Sequence, residues 1–351
     1  MDADRLSPAQ RRARNVAIAT LVFTLFVIVW GAFVRATGSG AGCGSHWPAC
    51  NGEVIPRAPS VETLIEYTHR LTSGVALLLT VALVVVARRS FAAGHPARFG
   101  AWLSLGFMLS EAAVGAALVL LEMVADNISM ARAGWMAAHL INTFFLLAAL
   151  GLTVHWMGDR PPIRLRGRGR LAVLAIAALT ATLIIGTTGA ITALGDTLFR
   201  PADSGDAITR TFADDAHPLE RLRTLHPLLA VAGSLLLLQF ASAVRRDAAR
   251  RRIDHPGVDG RPAAKAIGLL VFAQLGVGAL NIGLKAPVWM QLVHLLLADF
   301  LWLALVAACA HAFAVAPDAA RASSDGVRSA AAADNRDRGE PRSPAAPTLP
   351  A

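Results

Sequence analysis

The chain has 351 residues, 55% of them hydrophobic and only 16% charged, with a nominal charge of +9. Charges gathered into short clusters between apolar stretches exclude an ordinary soluble domain and describe an integral membrane protein. The arginines stand beside the apolar runs, where they set topology and meet anionic lipid, so the basic balance implies a lipid bilayer and no nucleic acid. Runs near the roughly 20 apolar residues that cross a bilayer as a helix fall at about 16–36, 64–87, 99–121, 134–157, 170–193, 224–244, 265–284 and 289–313. The expected fold class is an all-α integral membrane protein of eight transmembrane helices.

In chain order, residues 1–15 read as a cytoplasmic N-terminus. The first apolar run is too long for a signal-peptide core, and Arg35 with a polar GSG stretch separates it from Cys43, which argues against cleavage at GAGC. The connection that follows, TGSGAGCGSHWPACNGEVIPR, carries Cys43 and Cys50, two of the three cysteines. Outside the membrane this pair is oxidisable, and a disulfide closing so short a loop would restrict the unfolded chain and pin the loop over the helix ends. A metal pair with His46 and a thiol-exchange pair are the alternatives, although C-x6-C is not a usual zinc spacing. Cys309, inside the last run, reads as a small buried apolar residue.

The connections RRSFAAGHPAR, GDRPPIRLRGRGR and RRDAARRRIDHPGVDGRPAAK read as solvated loops, with 158–170 as a cytoplasmic linker. Together with the N-terminus they hold more than twice as many Lys and Arg as the opposite set of connections. Both termini are therefore expected in the cytoplasm, with the protein in the cell (inner) membrane. His95 and His255 precede prolines in loops, and His155, His217 and His311 stand at helix ends or in a loop. From 314 to 351 the chain lacks apolar periodicity and reads as a disordered cytoplasmic tail.

The remaining ionisable residues in the apolar runs form a pattern. Glu66 and His69 share a helix face at the start of the second run, and Arg70 lies one turn from Glu66. His139, His226 and His294 open the fourth, sixth and eighth runs. The interval from His69 to His139 nearly equals that from His226 to His294, and VGAALVL at 114–120 answers VGALNIG at 277–283. This is an internal repeat. Four spans in each half would relate two four-helix bundles, 16–157 and 171–313, by an axis along the membrane normal. A single histidine in a span is usually a hydrogen-bonded structural residue. One at the same depth on the second and fourth helix of each bundle offers two bis-imidazole pairs, a natural haem site. Two histidines per bundle fall short of a zinc site. A di-iron carboxylate centre needs a second Glu-x-x-His, and the residues three before the other histidines are Met136, Arg223 and Gln291.

GAFVRATGSGAGCGSHWPACNG followed by EYTHR, with the later TLHPLL and LVHLLL, is similar to the heme A synthase family over about residues 16–313. The resemblance implies oxidation of a ring methyl of heme O to a formyl group, giving heme A for terminal oxidases, by successive O2-dependent hydroxylations and loss of water. It implies that Glu66 is the family's important acidic residue, that His69 and His139 are the first pair of haem-iron ligands, and that His226 and His294 are the second pair, holding heme b. It implies that Cys43 and Cys50 are the loop cysteines of one bacterial subgroup. A contact with heme O synthase and an unidentified electron donor are the partners expected of it. The second half's matching loop, GDTLFRPADSGDAITRTFADDAHPLE, has no cysteine, and Glu111 and Asp299 lie in spans where an ionised carboxylate is expensive and the family pattern gives them no role. A di-haem b cytochrome that only carries electrons is the alternative function. Glu66 argues against it, because a carrier does not need a carboxylate beside one haem with an arginine at the matching position of the other.

Overall fold

A computed structural model describes residues 6–158, 160, 163, 169–199, 209–254 and 259–314. The expected tail beyond 314, most of the 158–170 linker and residues 200–208 of the second-half loop lie outside the described residues. Eight helices are long and apolar enough to cross a membrane: α1 Pro8–Ala36, α2 Val61–Ser90, α3 Pro96–Leu120, α4 Met130–Trp156, α5 Gly169–Leu198, α6 Leu225–Asp254, α7 Arg261–Gly283 and α8 Val288–Ala312. A helical turn, Pro218–Arg221, leads into α6. Among the described residues there is no strand, only isolated bridges between Cys50 and Glu53 and between Ile163 and Ala314. The chain is a multi-pass membrane protein.

Several helices begin where a side chain satisfies the free N–H groups of the first turn. Ser7 and Gln10 form a reciprocal capping box with Pro8 at the first helical position, so α1 starts inside the segment expected to precede it. Ser60 and Ser129 cap α2 and α4. His95 accepts the Ala97 N–H at the start of α3, which gives that loop histidine a capping role. The arginine clusters also sit differently from the loop reading. Arg88 and Arg89 belong to the last turn of α2, and Arg245, Arg246 and Arg250 lie within α6. Cations at a helix C-terminus meet the negative end of its dipole, which favours extending the helix through them.

Within the first half α1 packs on α2, α2 on α3, α3 on α4, and α4 returns to α1; in the second half α5, α6, α7 and α8 close in the same way. Small residues let the first-half backbones approach: Ala13 and Ala17, Ala76 and Ala87, and Ala97 and Ala101 are all buried there. The second core mixes Ala178, Ala264 and Ala308 with Phe240, Ile267 and Leu305. α4 and α1 carry the contact with α5 and α8. Phe144 stacks on Trp302 at that seam, and the Trp302 indole N–H donates to the Phe144 carbonyl at 2.6 Å.

Leu78, Phe99, Leu228 and Leu269 point outward and are exposed, as helices in lipid require. Buried hydroxyls of Thr24, Thr80, Ser104, Thr153 and Thr182 donate to the carbonyl four residues back in their own helix. These polar groups are therefore satisfied without water.

Candidate functional site

The loop between α1 and α2 is closed by a Cys43–Cys50 disulfide, both cysteines being buried. It is bonded down onto α2. Thr63 Oγ1 donates to Gly42 O at 2.7 Å, and the Cys43 N–H donates to Glu66 Oε2 at 2.8 Å. The other oxygen, Oε1, accepts from Arg70 Nη2 at 2.5 Å and Nε at 3.1 Å. Arg70 Nη1 donates to the loop carbonyls of His46 and Ala49, both at 2.6 Å. Glu66 is 3% exposed. The Glu66–Arg70 pair is thus a buried clasp between the loop and the first turns of α2 rather than a surface ion pair.

Of the expected site residues, His69 lies one turn along α2 from Glu66. Its ring rests against α1: a Cβ added at Gly31 would stand 2.9 Å from His69 Cε1. Two histidines of the second half also rest against a helical glycine. A Cβ at Gly189 of α5 would stand 2.8 Å from His226 Cε1, and one at Gly278 of α7 would stand 3.1 Å from His294 Cε1. Sequence reasoning missed these glycines, although Gly31 and Gly189 stand at nearly the same distance ahead of their histidines and the repeat could have been followed that far back.

His226 and His294 face each other across the second half with ring centres 6.4 Å apart and planes at 89°. His226 Nδ1 lies 3.1 Å from the Ile185 carbonyl, which as donor and acceptor leaves Nε2 free. Among the described residues, the Nδ1 atoms of His69, His139 and His294 have no hydrogen-bond partner. His139 Nδ1 lies 3.4 Å from Glu111 Oε1.

These residues fit a haem. Two metal–imidazole bonds of about 2 Å, with about 1 Å from each nitrogen to its ring centre, place the ring centres about 6 Å apart. His226 and His294 stand at that separation, while His155 and His311, brought together by α4 and α8, are 5.2 Å apart and too close to bracket an iron. Glycine beside three of the rings keeps space that a side chain would fill. Among the described residues no group of three or more His, Cys, Asp or Glu is arranged to hold a bare metal ion, whereas a porphyrin needs only axial ligands from the protein.

At the position matching Glu66, Arg223 donates from Nε to Asp196 Oδ1 at 2.8 Å and from Nη2 to the carbonyls of Gly195 and Phe199, tying the start of α6 to the end of α5. Arg35 of α1 reaches further, to Ala193 O at 2.9 Å, Thr197 Oγ1 at 3.0 Å and Gln291 Oε1 at 2.8 Å. It joins α1, α5 and α8 across the two halves. Asp299 is fully buried, and neither of its oxygens has a hydrogen-bond partner among the described residues.

Two expectations follow from this geometry. Denatured, unreduced protein should take one alkyl group, at Cys309, and three after reduction; three before reduction would contradict the disulfide. Gly189→Ala should displace the His226 ring, since overpacking a close contact costs about 1–3 kcal/mol, and should weaken haem retention at that pair roughly tenfold. Haem titration of the purified variant measures it, and unchanged binding would show that the ring has room to move.

Residues 14–306 match the model of the COX15-CtaA family, described as cytochrome oxidase assembly protein. The chain is 50% identical over 300 residues to proteins named protoheme IX farnesyltransferase from two strains of Thermus thermophilus, a match covering 86% of this chain and 48% of each relative. It is 42% identical over 110 residues to a heme A synthase of Bacillus cereus, covering 31% of this chain and 35% of that protein. The chain spans about half the length of the Thermus relatives.

Proposed function

The chain belongs to the COX15-CtaA family of cytochrome oxidase assembly proteins, and from that membership we propose that it is a heme A synthase, oxidising a ring methyl of heme O to a formyl group. The observation that supports this reading is the facing pair His226 and His294, with ring centres 6.4 Å apart, together with a repeat that sets His69 and His139 at the matching places of the first half, with Glu66 beside the first and Arg223 at the corresponding place of the second. We assign residues 16–157 to the substrate, held by His69 and His139, and 171–313 to a resident heme b, held by His226 and His294.

Bound haem iron supplies the electron transfer and O2 chemistry. Each hydroxylation of the methyl consumes one O2, two electrons and two protons and releases one water; after two, loss of a further water leaves the formyl. An external donor supplies the electrons. The protein's part is to hold the methyl in place and to deliver protons. Glu66, one turn from His69, is the proton-handling group, its carboxylate aimed by Arg70 and by the Cys43 N–H. General acid–base assistance of this kind contributes about 10²–10⁴ in rate. The clasp also couples the disulfide loop to the start of α2, so the loop covers the substrate end of the first half.

The excess of Lys and Arg on the opposite connections supports an orientation with this end outside a cell membrane and both termini in the cytoplasm. The Thermus relatives are named for transferring a farnesyl group to protoheme IX, the kind of reaction that supplies heme O. We infer a handover from such an enzyme, since so apolar a substrate would not cross water freely.

The test uses the purified full chain in detergent with heme O, a chemical reductant and O2, with the haems then separated by mass. Heme A should form with O2 and fail to form without it. Heme O recovered unchanged from protein that has bound heme b would favour the electron carrier instead.

A further inference from the structure

Aligning VGAALVL with VGALNIG sets Glu111 of α3 opposite Gln274 of α7, each three residues before the shared VGA. Both reach the histidine of the following helix. Glu111 is fixed by a network: Thr143 Oγ1 lies 2.5 Å from Oε1, and Asn142 Nδ2 donates to Oε2. Asn142 is itself held by Ser110 Oγ at 2.6 Å and by the Phe107 carbonyl at 3.0 Å. Both carboxylate oxygens accept from α4, and Oε1 stands 3.4 Å from His139 Nδ1. In the second half the equivalent group is a neutral amide. Gln274 Nε2 donates to the His294 carbonyl at 3.1 Å and lies 3.4 Å from His294 Nε2, and among the described residues His294 Nδ1 has no hydrogen-bond partner. In the first pair neither His69 Nδ1 nor His139 Nδ1 makes a hydrogen bond among the described residues.

We propose that Glu111 is a positioning residue that acts through His139, its carboxylate poised 3.4 Å away to accept the Nδ1–H once haem is bound and so to make His139 the stronger, retained ligand of the first haem site. This rests on the assignment of His69 and His139 as that site's ligands. A carboxylate against the outer nitrogen of a ligating imidazole fixes its tautomer and raises its basicity, and hydrogen bonding to an axial ligand is one of the levers by which a protein sets haem reactivity. If His69 and His139 both held the iron, O2 could reach it only where one of them yielded, and the polar network would bias which of the two is kept. Neither Nδ1 of the pair makes a hydrogen bond among the described residues, but a carboxylate oxygen stands 3.4 Å from that of His139 and is poised to take its proton, so His69 is the ligand expected to give way. The second site, with an amide in place of the carboxylate, is left without this bias.

The full chain is purified with heme O and heme b bound, and its potential is titrated as two one-electron components. The component lost in His139→Ala belongs to the first site. Glu111→Gln is expected to favour the ferrous over the ferric form of that component about tenfold, a rise of about 59 mV for one electron. The component of His226 and His294 should not move, and it serves as the internal control for folding. Glu111→Asp, which keeps the charge but withdraws it from the ring, should shift the same component less, and it replaces Glu111→Gln if that variant does not fold. A first-site potential unchanged in the variant that folds overturns the proposal, as does an equal shift of both components. If His139→Ala retains both haems with unchanged spectra, the ligand assignment itself has failed, which is a different result.

Discussion

Glu66→Gln is expected to abolish heme A formation, by at least about 10²-fold, while the haem of His226 and His294 stays in place. The substitution keeps the shape of the side chain but replaces one acceptor oxygen with a donor. Both oxygens of Glu66 now face donors, Arg70 on one side and the Cys43 N–H on the other, so the amide opposes a donor whichever way it is turned. A buried donor left unpaired costs about 1–3 kcal/mol, enough to loosen the loop but not to unfold eight helices. The variant also cannot take up or release a proton. Loosening and loss of the proton are separable. Arg70→Gln removes the clasp but leaves the carboxylate, and should reduce the yield of heme A without eliminating it. Normal heme A from Glu66→Gln, in a host without its own enzyme, would show that the carboxylate serves only to seat the loop.

His226→Ala and His294→Ala should each remove stably bound heme b. Their rings stand 6.4 Å apart, so deleting either leaves one axial ligand, and the spectrum should pass from six-coordinate low spin to high spin or disappear. His69→Ala and His139→Ala should leave that spectrum intact and abolish product. Reduced-minus-oxidised spectra of the four purified variants measure this. Loss of heme b from the first pair instead of the second would reverse the assignment of the halves.

The helices were legible because each is a local event: an apolar run with a capping residue before it. The helix ends were not, since Arg88 and Arg245 read as loop residues until the helix dipole is considered. The histidines and Glu66 could be found because the repeat marks them. Their partners could not. Glu66 meets a backbone N–H in a loop, Arg35 reaches helices far along the chain, and the donors around Glu111 come from a helix 31 and 32 residues away. Such contacts depend on which helix faces join, and hydropathy does not fix that when every face is apolar. Gly31 and Gly189 escaped for a related reason, as glycine in a membrane helix is common and its meaning lies in the ring packed against it.

The most direct measurement is the mass of the haems extracted from cells that make heme O and lack their own heme A enzyme, with and without this chain. The account predicts heme A only where the chain is present, and heme O alone where it is absent or carries Glu66→Gln. Heme O alone in both, from cells whose purified protein holds heme b, would contradict the account and leave an electron-carrying cytochrome in its place.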